Sequence, residues 1–121
     1  MYRPKQNWCR ASRIPEEREA FRQTARERAK EAFNDYLVDN GFGSKEHWKE
    51  LLRQYDLSEL YEDAFAESEN AHILFNQAYD PHVDPEESFK LMVEAMAVEE
   101  RVRAYNEIID EKEQAQSAAK N

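Results

Sequence analysis

The sequence predicts an all-α protein, a small four-helix bundle-like domain with two or three long helices, and three observations carry that expectation. The 121 residues include only two glycines and four prolines, too few for the turns that a fold of many short strands needs. Apolar residues recur at steps of three and four through most of the chain, which is the period of a helix face. Charged residues make up 36% and apolar residues 40%, a load that helices carry by placing the two kinds on opposite sides. The length suits one domain.

Residues 1–14 read as a basic, aromatic head. Pro15, followed by Glu16 and Glu17, then has the form of a first helical turn, because proline is shaped for that position and acids suit the positive end of a helix. Phe21, Ala25, Ala29, Ala32, Phe33, Tyr36 and Leu37 fall on one face, so the first helix spans about 15–40. Gly41 supplies the left-handed residue that ends it, with Phe42 placed to touch Leu37. Ser44 caps a short second helix over 45–54, whose stripe is Trp48, Leu51, Leu52 and Tyr55.

Asp56 and Ser58 compete as caps for a third helix over 57–79. Its apolar positions are Leu57, Leu60, Tyr61, Ala64, Phe65, Ala71, Leu74, Phe75, Ala78 and Tyr79. The stretch Asp80-Pro-His-Val-Asp84-Pro85 is the clearest break, with Asp84 as N-cap and Pro85 in the first turn. A fourth helix follows over 85–113. Residues 114–121 contain no large apolar side chain and are expected to fray as a polar tail.

The fourth helix is apolar on two stripes. Phe89, Met92, Val93 and Met96 form one, and Leu91, Ala95, Val98, Val102, Tyr105 and Ile109 the other. Such a helix is either central to its bundle or shared with a second molecule. The second helix is too short to cover it, so Val98, Val102, Tyr105 and Ile109 predict a symmetric homodimer. The alternative is a first helix lying antiparallel along the fourth.

Little in the sequence points to catalysis. A di-metal carboxylate site in a bundle needs two Glu-x-x-His pairs, and only Glu69 with His72 has that spacing. Asp80, His82 and Asp84 lie close together, but a turn and a cap already claim the two carboxylates. Cys9 is the one cysteine, so an intrachain disulfide is excluded and a cytoplasmic location is expected. It has no histidine nearby in sequence. Neither catalytic residues nor a cofactor or metal are expected, and no window is apolar for long enough to span a bilayer.

The charge pattern is more informative. Net charge is −9, yet residues 1–30 carry nine Lys/Arg against four Asp/Glu, and the remainder eight against twenty-two. The head, with Arg3, Lys5, Trp8, Arg10 and Arg13, has the composition of an arm that contacts phosphates and stacks on bases. It equally suits an arm folded onto its own acidic body, with Trp8 in an apolar notch, and the repulsion between that body and nucleic acid favours this second reading. On the third helix Asp56, Glu59, Glu62, Asp63, Glu67 and Glu69 partly align in steps of about 6 Å, as in proteins that stand in for nucleic-acid phosphates.

These features favour a non-enzymatic interaction module: a small acidic regulator or inhibitor that binds a basic surface on another protein, in the manner of small inhibitors encoded by phages and plasmids. A nucleic-acid-associated protein using the head, and a helical component of an assembly, are the alternatives.

Overall fold

The computed structural model describes residues 14–120. Arg3, Lys5, Trp8, Cys9, Arg10 and Arg13 of the head therefore lie outside the described residues. Four helices make up the fold: α1 Pro15–Asp39, α2 Lys45–Leu52, α3 Leu57–Ala78 and α4 Pro85–Lys120.

The boundaries follow the expected local chemistry. Ser44 Oγ accepts from the His47 amide, Asp56 Oδ1 from the Glu59 amide and Asp84 Oδ1 from the Glu87 amide, at 3.1, 2.9 and 2.8 Å. Asp56 thus caps α3 in preference to Ser58. Gly41 has φ +78°, the Phe42 amide donates to the Leu37 carbonyl at 2.8 Å and the Gly41 amide to that of Val38 at 3.0 Å. Those paired bonds are a Schellman ending. At the far end, α4 continues past Glu113 to Lys120. Glutamine, alanine and lysine are good helix formers and no Gly or Pro interrupts them, while residues 114–119 are all exposed.

α4 is the central element. α1 and α3 both pack on it rather than on each other, and α2 closes one end. Near the start of α4, Phe21, Ala25 and Ala78 gather around Phe89 and Met92, and the Phe21 and Phe89 rings meet edge-on at 5.6 Å. Further along, Phe33, Leu37, Trp48, Leu52, Leu60 and Ala64 enclose Ala104, Tyr105, Ile108 and Ile109. α3 therefore runs antiparallel to α4. α1 runs parallel to it, not antiparallel as the alternative to a dimer supposed; α3 and α4 form the hairpin, and α1 is opposed to α3. Fully burying each of Phe21, Leu37, Leu60, Met92 and Ile108 stabilises the fold by about 1.5–3 kcal/mol.

The two-stripe pattern of α4 is explained within one chain. Phe89 and Met96 turn toward α1, and Val102 toward Ala71 and Phe75 of α3. Val98, Tyr105 and Ile109 are buried and Val102 is half-buried. The stripe expected to mediate self-association is thus covered by the chain's own helices, because α3, at about 33 Å, is long enough to reach along it. Tyr61 and Phe65 on α3, and Tyr79 just past its end, are exposed, Phe65 by 68%. Among the described residues α3 packs mainly on α4, so the strip through Leu60, Ala64, Ala71 and Ala78 is buried, and residues one position away, turned by about 100°, fall outside it.

α2 is held by an aromatic box and by charge. Trp48 meets Phe33, Tyr36, Phe42 and Tyr105 with ring centroids 5.5–6.3 Å apart across the box. Lys49 pairs with Glu107, and Arg53 Nε and Nη2 donate to the two oxygens of Glu111 at 2.9 and 3.1 Å. Such a bidentate fork fixes orientation as well as contact. The Ser88 hydroxyl, buried at the α3–α4 corner, donates to the Ala78 carbonyl at 2.8 Å. No helix among the described residues is long and apolar enough to cross a membrane.

Candidate functional site: an acidic groove across the central helix

Because α1 and α3 sit on opposite flanks of α4, a groove of about 540 Å³ stays open between them. Its floor consists of the small side chains Ala32, Ala97 and Val98 with Leu74. Asp35 and Asp39, one helical turn apart on α1, form one rim, and Glu94 of α4 and Asn70 of α3 continue it. The volume lies in the range of ligand-sized clefts.

Arg101 closes one end. Its guanidinium lies 4.3 Å from the centroid of the Tyr36 ring, and its Nε and Nη2 both reach Glu67 Oε2, at 2.8 and 2.7 Å. The side chain is 14% exposed. Arg101 therefore ties α1 to α3 across α4 and is neutralised by Glu67, so the rim carboxylates set the sign of the groove.

The acidic row of α3 divides. Asp56, Glu59, Asp63 and Glu67 follow one edge at three- and four-residue steps, on the side of the groove, while Glu62 and Glu69 point further outward. Asp56 is occupied by its cap and Glu67 by Arg101. Among the described residues none of Glu59, Glu62, Asp63 and Glu69 has an ion-pair partner. The Glu59 carboxyl is held above its ordinary range first by the charge of neighbouring Asp56, then by partial desolvation and a hydrogen bond with Asp56, with Asp63 and Glu62 adding less. The Tyr105 hydroxyl is pushed well up by burial, and Asp63 and Glu67 reinforce the shift.

The opposite side of α4 differs in charge. Arg26 and Lys30 of α1 and Arg103 of α4 share a smaller depression there with Glu99 and Glu100. Burial raises the Glu99 carboxyl, and Arg103 partly offsets that. The molecule is thus acidic on its groove side and mixed on the other.

Other singled-out groups have plain roles. Asp80 Oδ1 accepts from the His82 amide at 2.9 Å, so both carboxylates of that loop serve the backbone. Glu69 and His72 are exposed on α3, and among the described residues no group of three or more His, Cys, Asp or Glu is placed to hold a metal ion. The groove rims were not anticipated from the sequence. The available signal was Asp35 and Asp39 flanking the α1 stripe beside Ala32 and Tyr36.

Compared with protein-family models, with curated proteins and with solved structures, the chain matches none of them.

Proposed function

We propose that this chain is a non-enzymatic interaction module that docks its acidic side on a basic surface of a partner protein. The observation that carries the proposal is the cluster Glu59, Glu62 and Asp63, gathered within one turn of α3 beside Asp56 and without an ion-pair partner among the described residues. Like charges held together cost stability in the isolated chain, and a cationic partner relieves that cost. The regular steps along the α3 edge favour a partner cleft that otherwise takes nucleic acid, which makes the module an inhibitor.

The test begins with capture of partners from host lysate at low salt and their identification by mass spectrometry. A purified partner is then titrated calorimetrically with the wild-type chain and with a Glu59→Lys, Glu62→Lys, Asp63→Lys variant. The expected result is a loss of at least about tenfold, equivalent to about 1.4 kcal/mol, in the variant and a fall in wild-type affinity with salt. Equal affinity for both chains rejects the proposal. Retention of the wild-type chain on a DNA or heparin column at low salt would favour the head as a nucleic-acid arm instead.

A further inference from the structure

The flank that α3 turns away from the groove carries six positions that read the same in both directions. Tyr61, Phe65, Ser68, His72, Phe75 and Tyr79 follow steps of four and three and fall within an arc of about 80°, at 100° per residue. They are centred on the level of Asn70: Tyr61 and Tyr79 lie nine positions to either side of it, Phe65 and Phe75 five, and Ser68 and His72 two. Phe75 is half-buried and the other five are exposed, Phe65 most of all. We propose that this stripe docks a second copy of the chain, the two α3 helices packing antiparallel about a two-fold axis at the level of Asn70.

That axis sets Tyr61 against the second copy's Tyr79, Phe65 against its Phe75 and Ser68 against its His72. Every large ring then meets one of its own kind, the small serine admits the imidazole, and each contact is made twice, as a two-fold interface requires. The structure also supplies a hole for the most exposed ring. Beside Phe75 a depression of about 300 Å³ lies between Ser68, His72, Val102 and Arg103, and the pairing brings the second copy's Phe65 to it. Aromatic side chains seated in such pockets anchor interfaces, and Arg103 at the rim is placed to lie over the ring. Tyr61 is steadied for its part, because its hydroxyl donates to Glu113 Oε1 at 2.8 Å. The exposed parts of Tyr61, Phe65 and Tyr79 amount to about 300 Å² per copy, taking about 200 Å² for each whole side chain. The other positions bring the pair toward the lower end of specific interfaces, about 1,200 Å² in total, so the dimer is reversible and depends on concentration. Charge opposes it: each copy carries −9 and Glu62 and Glu69 border the stripe, so salt strengthens the association. The stripe lies on the other flank of α3 from Asp56, Glu59 and Asp63, and the proposal does not depend on the partner-binding reading, whose contact salt weakens.

Light scattering on the full chain from about 5 to about 500 μM should show a mass rising from 14.4 kDa toward twice that value, with the rise at lower protein concentration in about 0.5 M salt than in about 0.05 M. Phe65→Gln adds no charge at a site 68% exposed, so it should keep the helical ellipticity of the wild-type chain while weakening association by at least about tenfold. Register is tested separately. In a Cys9→Ser background, chains with Ser68→Cys and isotope-labelled chains with His72→Cys are mixed and oxidised, and mass spectrometry separates mixed from like disulfide pairs. Antiparallel packing about the level of Asn70 makes mixed pairs predominate. A mass of one chain at every concentration overturns the proposal and leaves the stripe to a different protein. A dimer that survives Phe65→Gln or weakens with salt also overturns it, as does a predominance of like pairs, which would mean a parallel or shifted register.

Discussion

Removing Arg101 should loosen the fold out of proportion to a surface arginine, because this one residue links three helices. Its Nε and Nη2 converge on one oxygen of Glu67, a charge-assisted contact of the kind worth about 1.5–3 kcal/mol. With the Glu67 side chain 26% exposed, solvent screening places it at the lower end, about 1.5 kcal/mol. The Tyr36 stack adds about 0.5–1 kcal/mol. Arg101→Ala should therefore cost about 2–2.5 kcal/mol, a fall in Tm of about 10 °C for a domain of this size. Urea melts followed by helical ellipticity measure the loss, and a cycle with Glu67→Gln isolates the pair, with an expected coupling of about 1–1.5 kcal/mol. Arg101→Lys should recover only part, since an ammonium cannot make both contacts and the stack together. A coupling below about 0.3 kcal/mol, the level at which separate sites simply add, would refute the bridge.

Other expectations follow from the caps, the charges and the covered stripe. Asp84→Ala should cost about 1 kcal/mol by removing the α4 cap. Gly41→Ala should cost about the same through its left-handed backbone alone, since an added Cβ meets nothing within 4 Å; unchanged urea midpoints would contradict both. Glu107 and Glu111 are held below their ordinary range by hydrogen bonds from Lys49 and Arg53, so their stabilisation is present above the usual carboxylate range and is lost as pH falls through the lowered values. Glu59 is raised, so its contribution has the opposite sign and fades as pH rises. Glu59→Gln should accordingly raise Tm at pH 7 and leave it nearly unchanged at pH 3, whereas Glu107→Gln should lower Tm at pH 7 only. Ile109→Glu should destabilise the chain by more than about 3 kcal/mol equally at low and high protein concentration; a loss that shrinks with concentration would instead place Ile109 between two copies.

The helices were legible because their ends are written in short-range chemistry. Pro15, Ser44, Asp56 and Asp84 satisfy amides or fix φ within a turn of themselves, and Gly41 needs no distant partner to be left-handed. Partnership was less legible. Periodicity showed two apolar sides on α4 but not that α1 and α3 cover them from opposite flanks, one parallel and one antiparallel. The same limit made Glu67 look like another member of an acidic row when Arg101, thirty-four positions away, claims it. It also hid the groove, which takes its lining from three helices separated in sequence. Glu59, Glu62 and Asp63 were legible as a cluster because their proximity is set within one helix.

The central place of α4 fixes the order in which this chain can become a folded object. α1 meets its partner residues about sixty-five to seventy positions downstream, Phe21 against Phe89 and Tyr36 against Arg101. A ribosome adds about 5–20 residues per second, so the apolar side of α1 waits several seconds in the cell for the element that will cover it. The α3–α4 hairpin closes over a short connection and pays little loop entropy, while α1 must close a long one. Refolding should therefore begin with α3 on α4 and finish with α1. During synthesis Phe21 and Leu37 stay available to chaperones, and a ribosome stalled before residue 85 would hold three amphipathic helices without the element that covers most of their apolar sides.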